Sequence, residues 1–241
     1  MTADQTLTAD EIHARYERLH ARLRDVSAQG GRDPDRLRIV AVTKGWPVET
    51  ARAALDAGLE ILGENRVQEA EPKVAALPGA EWHFIGRLQA NKARRAVRSF
   101  TAIHSIDTVD LLERVRAIIL AEEANTRLLL QVNVSGEASK AGISATEALE
   151  SGAMAAIREA GVIGLMTMAP MGATEDEART VFRRLRELRD RLQEATGIAM
   201  PELSMGMSAD AEAAAAEGAT LVRIGTALFG PRPEGAGILR T

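Results

Sequence analysis

Cysteine is absent from the 241-residue chain, and its four histidines (His13, His20, His83, His104) are too scattered to suggest a zinc motif. A disulfide framework, a thiolate metal site and a cysteine nucleophile are therefore excluded. Aromatic residues make up only 3%, and 30 Lys+Arg stand against 34 Asp+Glu for a formal net charge of −4. Neither the basic field nor the stacking rings of a nucleic-acid binder is present, so no nucleic-acid partner is expected. Long apolar runs are missing too. Stretches such as 127–133 are far too short to cross a bilayer, and no membrane contact is expected. The first residues carry acids and no apolar segment, which does not fit a signal peptide and points to a cytoplasmic protein. No Pro/Ser/Gly-rich linker divides the sequence; the pieces at 77–80 and 230–237 are loop-sized. What is present, 46% hydrophobic and 27% charged residues, is the balance of a globular protein. One domain is expected over residues 1–241, with its core at about 10–230.

Two periodicities alternate along the chain. Short apolar, β-branched runs fall at 38–44, 59–65, 81–86, 102–107, 127–133, 162–168, 202–206 and 221–225, giving eight candidate strands. Between them apolar residues recur at helical spacing. The clearest case has Ala178, Val181, Phe182, Leu185, Leu188 and Leu192 on one face, behind a Thr174/Glu177 capping box. Ser144/Glu147 reads as another box, and Pro47 suits a first helical turn. A helix also precedes the first strand, with Ile12, Tyr16, Leu19, Leu23 and Val26 on one face and Thr8/Glu11 as its box. Strands alternating with single helices predict an α/β fold with a parallel sheet. Eight of them, in a chain near the ~250 residues typical of the class, match a single (β/α)8 TIM-type barrel. A doubly wound open sheet is the alternative. The last strand leaves little room for a full helix after it, so the extra N-terminal helix is expected to fill that place in the outer ring.

In such barrels the reactive groups sit at the C-terminal ends of the strands. Lys44 ends the first strand, in a chain with only four lysines. It shares side-chain parity with Val40 and Val42, so one strand face carries two β-branched residues and then an amine. Pointing inward, that amine is partly desolvated, which disfavours the ammonium and makes a carbonyl-attacking nucleophile. A lysine whose stem packs while its head reaches water is the plainer reading. The turns 204–210 and 222–226 combine glycines with Ser208 and Thr226 on the two loops where barrels often hold phosphate. Alternatively, Ser208 caps a helix and Gly225 makes a turn. Arg223 shares the strand face of Gly225 and, if buried, needs an acceptor: a carboxylate or a ligand atom. Trp82 and His83 read as packing residues, the histidine hydrogen-bonded in the core. The basic run 87–98 reads as a solvated helix face.

Val40-Ala-Val-Thr-Lys44, Gly63-Glu-Asn-Arg-Val-Gln-Glu69, Trp82-His-Phe-Ile-Gly-Arg-Leu-Gln-Ala-Asn-Lys92, His104-Ser-Ile-Asp107, Gly164-Leu-Met-Thr-Met168, Ser204-Met-Gly-Met-Ser208 and Val222-Arg-Ile-Gly-Thr-Ala-Leu-Phe-Gly230 occur in that order. Together they resemble the pyridoxal phosphate homeostasis protein family, over about residues 10–230. The resemblance implies a barrel like the N-terminal domain of alanine racemase, binding pyridoxal 5′-phosphate (PLP). It also implies a role in intracellular PLP (vitamin B6) homeostasis, with apo forms of PLP enzymes as recipients. By this resemblance Lys44 forms the Schiff base, Ser208, Gly225 and Thr226 hold the phosphate, and Arg223 faces the pyridine nitrogen. Asn65 and Met205 lie near the ring. Arg66 stands where relatives commonly have tyrosine, and Lys140 falls in a family loop without an assignable role. Arginine stays charged and cannot supply the ring proton that makes the cofactor a strong electron sink. The only tyrosine, Tyr16, is on the leading helix, so the second base of related racemases has no evident source. A monomeric PLP carrier without robust turnover is expected. A racemase-like PLP enzyme and a phosphate-binding barrel without aldehyde chemistry are the alternatives.

Overall fold

The computed structural model describes residues 7–135 and 141–231. Among them nine strands form: β1 (Arg38–Val42), β2 (Ile61–Glu64), β3 (Glu81–Phe84), β4 (Ala102–Ile106), β5 (Arg127–Asn133), β6 (Ile143–Ser144), β7 (Gly164–Met166), β8 (Glu202–Met207) and β9 (Leu221–Ile224). All pair in parallel in the order β4-β3-β2-β1-β9-β8-β7-β5, and the β4–β5 pairing joins the two ends. The result is a closed barrel of eight strands, not an open sheet, with the two-residue β6 attached beside β5. All eight expected strands are present. Only β6, too short to carry a periodic pattern, has no counterpart in the sequence reading.

The helices are α1 (Ala9–Gln29), α2 (Val48–Asp56), α3 (Val67–Ala76), α4 (Ala93–Ser99), α5 (Val109–Ala121), α6 (Ala145–Ala148), α7 (Ser151–Glu159), α8 (Glu175–Thr196), α9 (Ala211–Ala216) and α10 (Thr226–Phe229). Among the described residues, β9 is followed by the single turn of α10 alone. Helix α1 packs against α9, α10 and α2, closing the outer ring at that gap. It starts on a full Thr8/Glu11 capping box and buries Ile12 and Leu23. Helix α8 starts on the Thr174/Glu177 box and buries its whole expected apolar face. Ser144 gives α6 a single cap bond instead of a full box, and Pro47 sits in extended backbone one residue before α2. The basic run is a solvated face, as expected: Arg94 and Arg98 pair with Glu122, and Arg95 with Glu71.

Strand alternation sorts the side chains into two cores. Ala41, Leu62, Leu203, Met205 and Val222 belong to the large cluster that includes the buried helix faces. Val40, Ile61, Leu129 and Leu221 form a separate small cluster. Each fully buried Val, Leu, Ile or Met side chain in these clusters contributes about 1.5–3 kcal/mol. The first interior positions of four strands are charged instead: Arg38 pairs with Glu202 at 2.6 Å, and Arg127 with Glu81. These positions fall on β1, β8, β5 and β3 and alternate in sign around the base.

Candidate functional site

At the C-terminal mouth, β1 and β2 pair with Val42 opposite Gly63, a register that carries Lys44 and Asn65 to adjacent strand ends. Both are half-buried. Just below Lys44 lies a buried ion pair that sequence reasoning did not anticipate. Lys73 Nζ donates to Glu64 Oε1 at 2.6 Å and to the Thr43 carbonyl at 2.9 Å, and Thr43 Oγ1 donates to the same carboxylate oxygen at 2.7 Å. Burial raises the Glu64 carboxyl above its ordinary value, opposed by the Lys73 ammonium. This lock fixes the main chain that delivers Lys44.

Asn65 is held from the other side by Gly86. A Cβ at that glycine would fall 2.1 Å from the Asn65 carbonyl oxygen and 2.6 Å from its Cα. Only a residue without a side chain permits that approach. Gly86→Ala is expected to push the end of β2 outward and destabilise the fold by about 1–3 kcal/mol, in the range of overpacked cores. Thermal unfolding measures it; an unchanged melting temperature would show that Asn65 yields freely.

On the other side of β1, Val40 pairs with Arg223 of β9, and a Cβ at Gly225 would fall 3.6 Å from Val42. Ser208 Oγ accepts from the Ala227 N–H at 3.3 Å, so the loop after β8 touches the first turn of α10. Ser208, Gly225, Thr226 and the end of β1 thus converge on one side of the mouth. Gly206, at φ +87° with a Cβ position 2.5 Å from Ala214 Cβ, lets that loop turn close over α9. Met205 is a correction. It is fully buried in the outer core with Leu203, because Ser204 takes the inner face of β8, where its hydroxyl meets Arg223 and His104, and parity sends Leu203 and Met205 to the helices.

Arg223 is only 4% exposed, yet among the described residues it makes no ion pair. Its NH1 donates to Ser204 Oγ at 2.6 Å and its NH2 to the Thr167 carbonyl at 2.9 Å. Burial lowers its pKa to about 10, with Asp210 acting in the opposite direction. Thr167 also lines a mostly apolar cavity of about 520 Å³ at the ends of β5, β7 and β8, with Gln131, Asn133, Met168 and Met207. Lys44, Asn65, Ser208, Gly225 and Thr226 are not among its lining residues; Lys140 lies outside the described residues.

Inside the barrel, His83 is the hydrogen-bonded core histidine expected, joined by His104, which donates or accepts on both ring nitrogens. Glu81, at the end of this row, is held down to about 2, chiefly by its hydrogen bond with His83 and further by Arg127, against the opposing effect of burial. A carboxyl lowered on folding stabilises the fold above its unfolded value near 4.5, and that contribution is lost as pH falls toward 2. Glu81→Gln is therefore expected to flatten the loss of stability between pH 4.5 and 2. Urea unfolding at intervals across that window checks it; an unchanged acid limb would assign the lability to other carboxylates.

A parallel eight-stranded barrel with a lysine at the end of β1 and a loop pair converging after β8 and β9 defines a protein of the alanine-racemase barrel class. Consistently, the family model for the alanine racemase N-terminal domain matches residues 15–233. The chain is 43% identical over 220 residues to the pyridoxal phosphate homeostasis protein of Pseudomonas aeruginosa, covering 90% of this chain and 94% of that one. The corresponding Aquifex aeolicus protein is 39% identical over 221 residues, covering 90% and 97%. PipY of Synechococcus elongatus, solved with PLP bound, superposes with a TM-score of 0.78 at 36% identity, covering 91% of this chain and all of that one. Alanine racemase of Clostridium difficile shares the fold alone, with a TM-score of 0.72 at 14% identity over 95% of this chain and 59% of its own. This chain belongs to the pyridoxal phosphate homeostasis protein family.

Proposed function

We propose that this chain binds pyridoxal 5′-phosphate at the barrel mouth and acts in intracellular PLP homeostasis, carrying the cofactor on Lys44 without robust turnover. The observation that carries the reading is Arg223, a buried cation at the mouth with no carboxylate partner among the described residues. A buried guanidinium of this kind suits a neutral ring-nitrogen acceptor, to which it donates without giving up its proton. The remaining donor set fits the same ligand. Lys44 offers an amine to an aldehyde, while Ser208, Gly225 and Thr226 offer a hydroxyl pair and backbone N–H groups to a phosphate. Asn65 stands beside Lys44. The names of the relatives and the PLP-bound PipY support the cofactor assignment.

When bound, the cofactor supplies a reactive aldehyde on an electron-accepting ring. Storage on a lysine keeps that aldehyde low in free solution and available to apoenzymes. Turnover would need a second base. Tyr16, the only tyrosine, stacks on His20 and lines a recess with Leu37, Arg38 and Glu60 near the starts of β1 and β2. That recess is at the end of the barrel opposite the mouth. The test is α-proton exchange: the PLP-loaded protein is incubated with L- and D-amino acids in D2O and followed by NMR. No exchange, with PLP retained, is the expected result. Protein-dependent exchange that disappears in Lys44→Ala would overturn the carrier reading in favour of a racemase-like enzyme, and failure to retain PLP would overturn both.

A further inference from the structure

Arg223 is the first member of a hydrogen-bonded row that runs the length of the barrel. Its NH1 meets Ser204 Oγ at 2.6 Å; Ser204 Oγ meets His104 Nδ1 at 2.8 Å; His104 Nε2 meets His83 Nδ1 at 2.9 Å; His83 Nε2 meets Glu81 Oε1 at 2.9 Å. Ser204, His104 and His83 are all at most 1% exposed. The row ends on a carboxylate that also takes Arg127.

The chemistry of the two ends fixes every proton between them. A guanidinium only donates and an ionised carboxylate only accepts. His83 Nε2 therefore carries a proton, directed at Glu81. With a neutral imidazole its Nδ1 must accept, so His104 Nε2 carries a proton too. The Nδ1 of His104 then accepts from the Ser204 hydroxyl, and the serine oxygen is left to accept from Arg223. Reading from Arg223 gives the same order, so the row has one polarity and no conflict along it.

We propose that His104 and His83 are positioning residues for Arg223: a one-way relay, Arg223 to Ser204 to His104 to His83 to Glu81, that aims the guanidinium and couples it to a carboxylate at the far end of the barrel. Each donor in such a row strengthens the next acceptor in a low-dielectric interior. The arrangement sets the cation without placing a carboxylate against it, which leaves its local environment suited to a neutral acceptor. One added proton on the pair would reverse at least the Ser204–His104 link and bring a third cation between Arg127 and Arg223. The charged groups facing the pair oppose that proton: Arg38, Arg127 and Arg223 outnumber Glu81, and Glu202 is already paired with Arg38. Burial pushes both imidazoles below the ordinary histidine value, His104 well below it.

The relay is a property of the chain itself; only its consequence for the cofactor rests on the proposed PLP site. Two experiments separate these. The full chain, 15N-labelled and without PLP, is examined by long-range proton–nitrogen correlation of its imidazoles from about pH 5.5 to about 8.5, the range in which free histidine titrates. The expected result is two histidines held neutral with the proton on Nε2 throughout. A proton on Nδ1, or a charge appearing on either ring within that range, would overturn the relay. For the consequence, PLP affinity is compared in His104→Leu and His104→Asn. Leucine fills space but accepts nothing, and a roughly tenfold loss is expected, comparable to one hydrogen bond to a charged group. Asparagine can present an oxygen where Nδ1 lies, and affinity within about threefold of the wild type is expected. Equal affinity in the leucine variant, or equal loss in both, would reject the positioning role. If His104→Leu does not fold, the imidazole measurement still decides the relay. Failure of the wild type to take up PLP would reject the proposed site while leaving that measurement intact.

Discussion

Lys44→Ala is expected to abolish covalent capture of PLP completely. After incubation with PLP and borohydride, the wild-type chain should carry the cofactor on one lysine, located by peptide mass mapping at residue 44, and the variant should carry none. The expectation follows from the lysines as a set. The chain has four. Lys73 is buried, and its nitrogen is engaged by Glu64 and the Thr43 carbonyl, which shields it from an aldehyde. Lys92 stands at the start of α4 in the outer ring. Lys44 alone among the described lysines ends a barrel strand, flanked by Asn65 and by the Gly225 turn. The variant keeps Ser208, Gly225, Thr226 and Arg223, so weaker noncovalent uptake should survive and be visible as absorbance that dialysis removes. Cofactor still fixed in Lys44→Ala would move the covalent site to another lysine and dissolve the present assignment.

The barrel was legible because its signals are local. Period-2 apolar runs marked every strand of the closed sheet, helical faces marked the ring, and the shortage of chain after the last strand pointed to α1 as the closing helix. Contacts that depend on stagger between strands were not legible. His83 pairs with Ala102, and only that offset brings His104 diagonally beside it; two histidines 21 residues apart in sequence give no such hint. The charged positions at the base escaped for the same reason. Other misses had signals that went unused. Lys73 shares the buried face of α3 with Val67 and Ala70, and a lysine on such a face needs a partner. Met205 directly follows Ser204, so the two cannot face the same side of β8; there the family resemblance carried a residue to the mouth that strand parity places elsewhere.

Lys73→Met is expected to be the most destabilising single change at the site, by about 3–5 kcal/mol, the cost of breaking a buried pair by removing one partner. Glu64 is 0% exposed, and its Oε2 has no hydrogen-bond partner among the described residues. Without the ammonium, Thr43 Oγ1 is the one remaining donor to this carboxylate among the described residues. Burial already raises the Glu64 carboxyl, and Lys73 is the largest force opposing that rise. In the variant the folded carboxyl moves further up. A carboxyl raised on folding is harmless below its unfolded value near 4.5 and costs stability progressively as pH climbs through the folded value. The deficit of Lys73→Met should therefore grow with rising pH, where the wild type changes much less. Lys73→Met/Glu64→Gln should recover most of the loss and remove the slope, because a neutral amide needs no counter-charge. Urea unfolding of the three proteins across pH reads both effects. Because Lys73 also holds the Thr43 carbonyl, PLP capture at Lys44 should weaken in the single variant. A single variant as stable as the wild type at every pH would mean that the pair adds nothing to the fold.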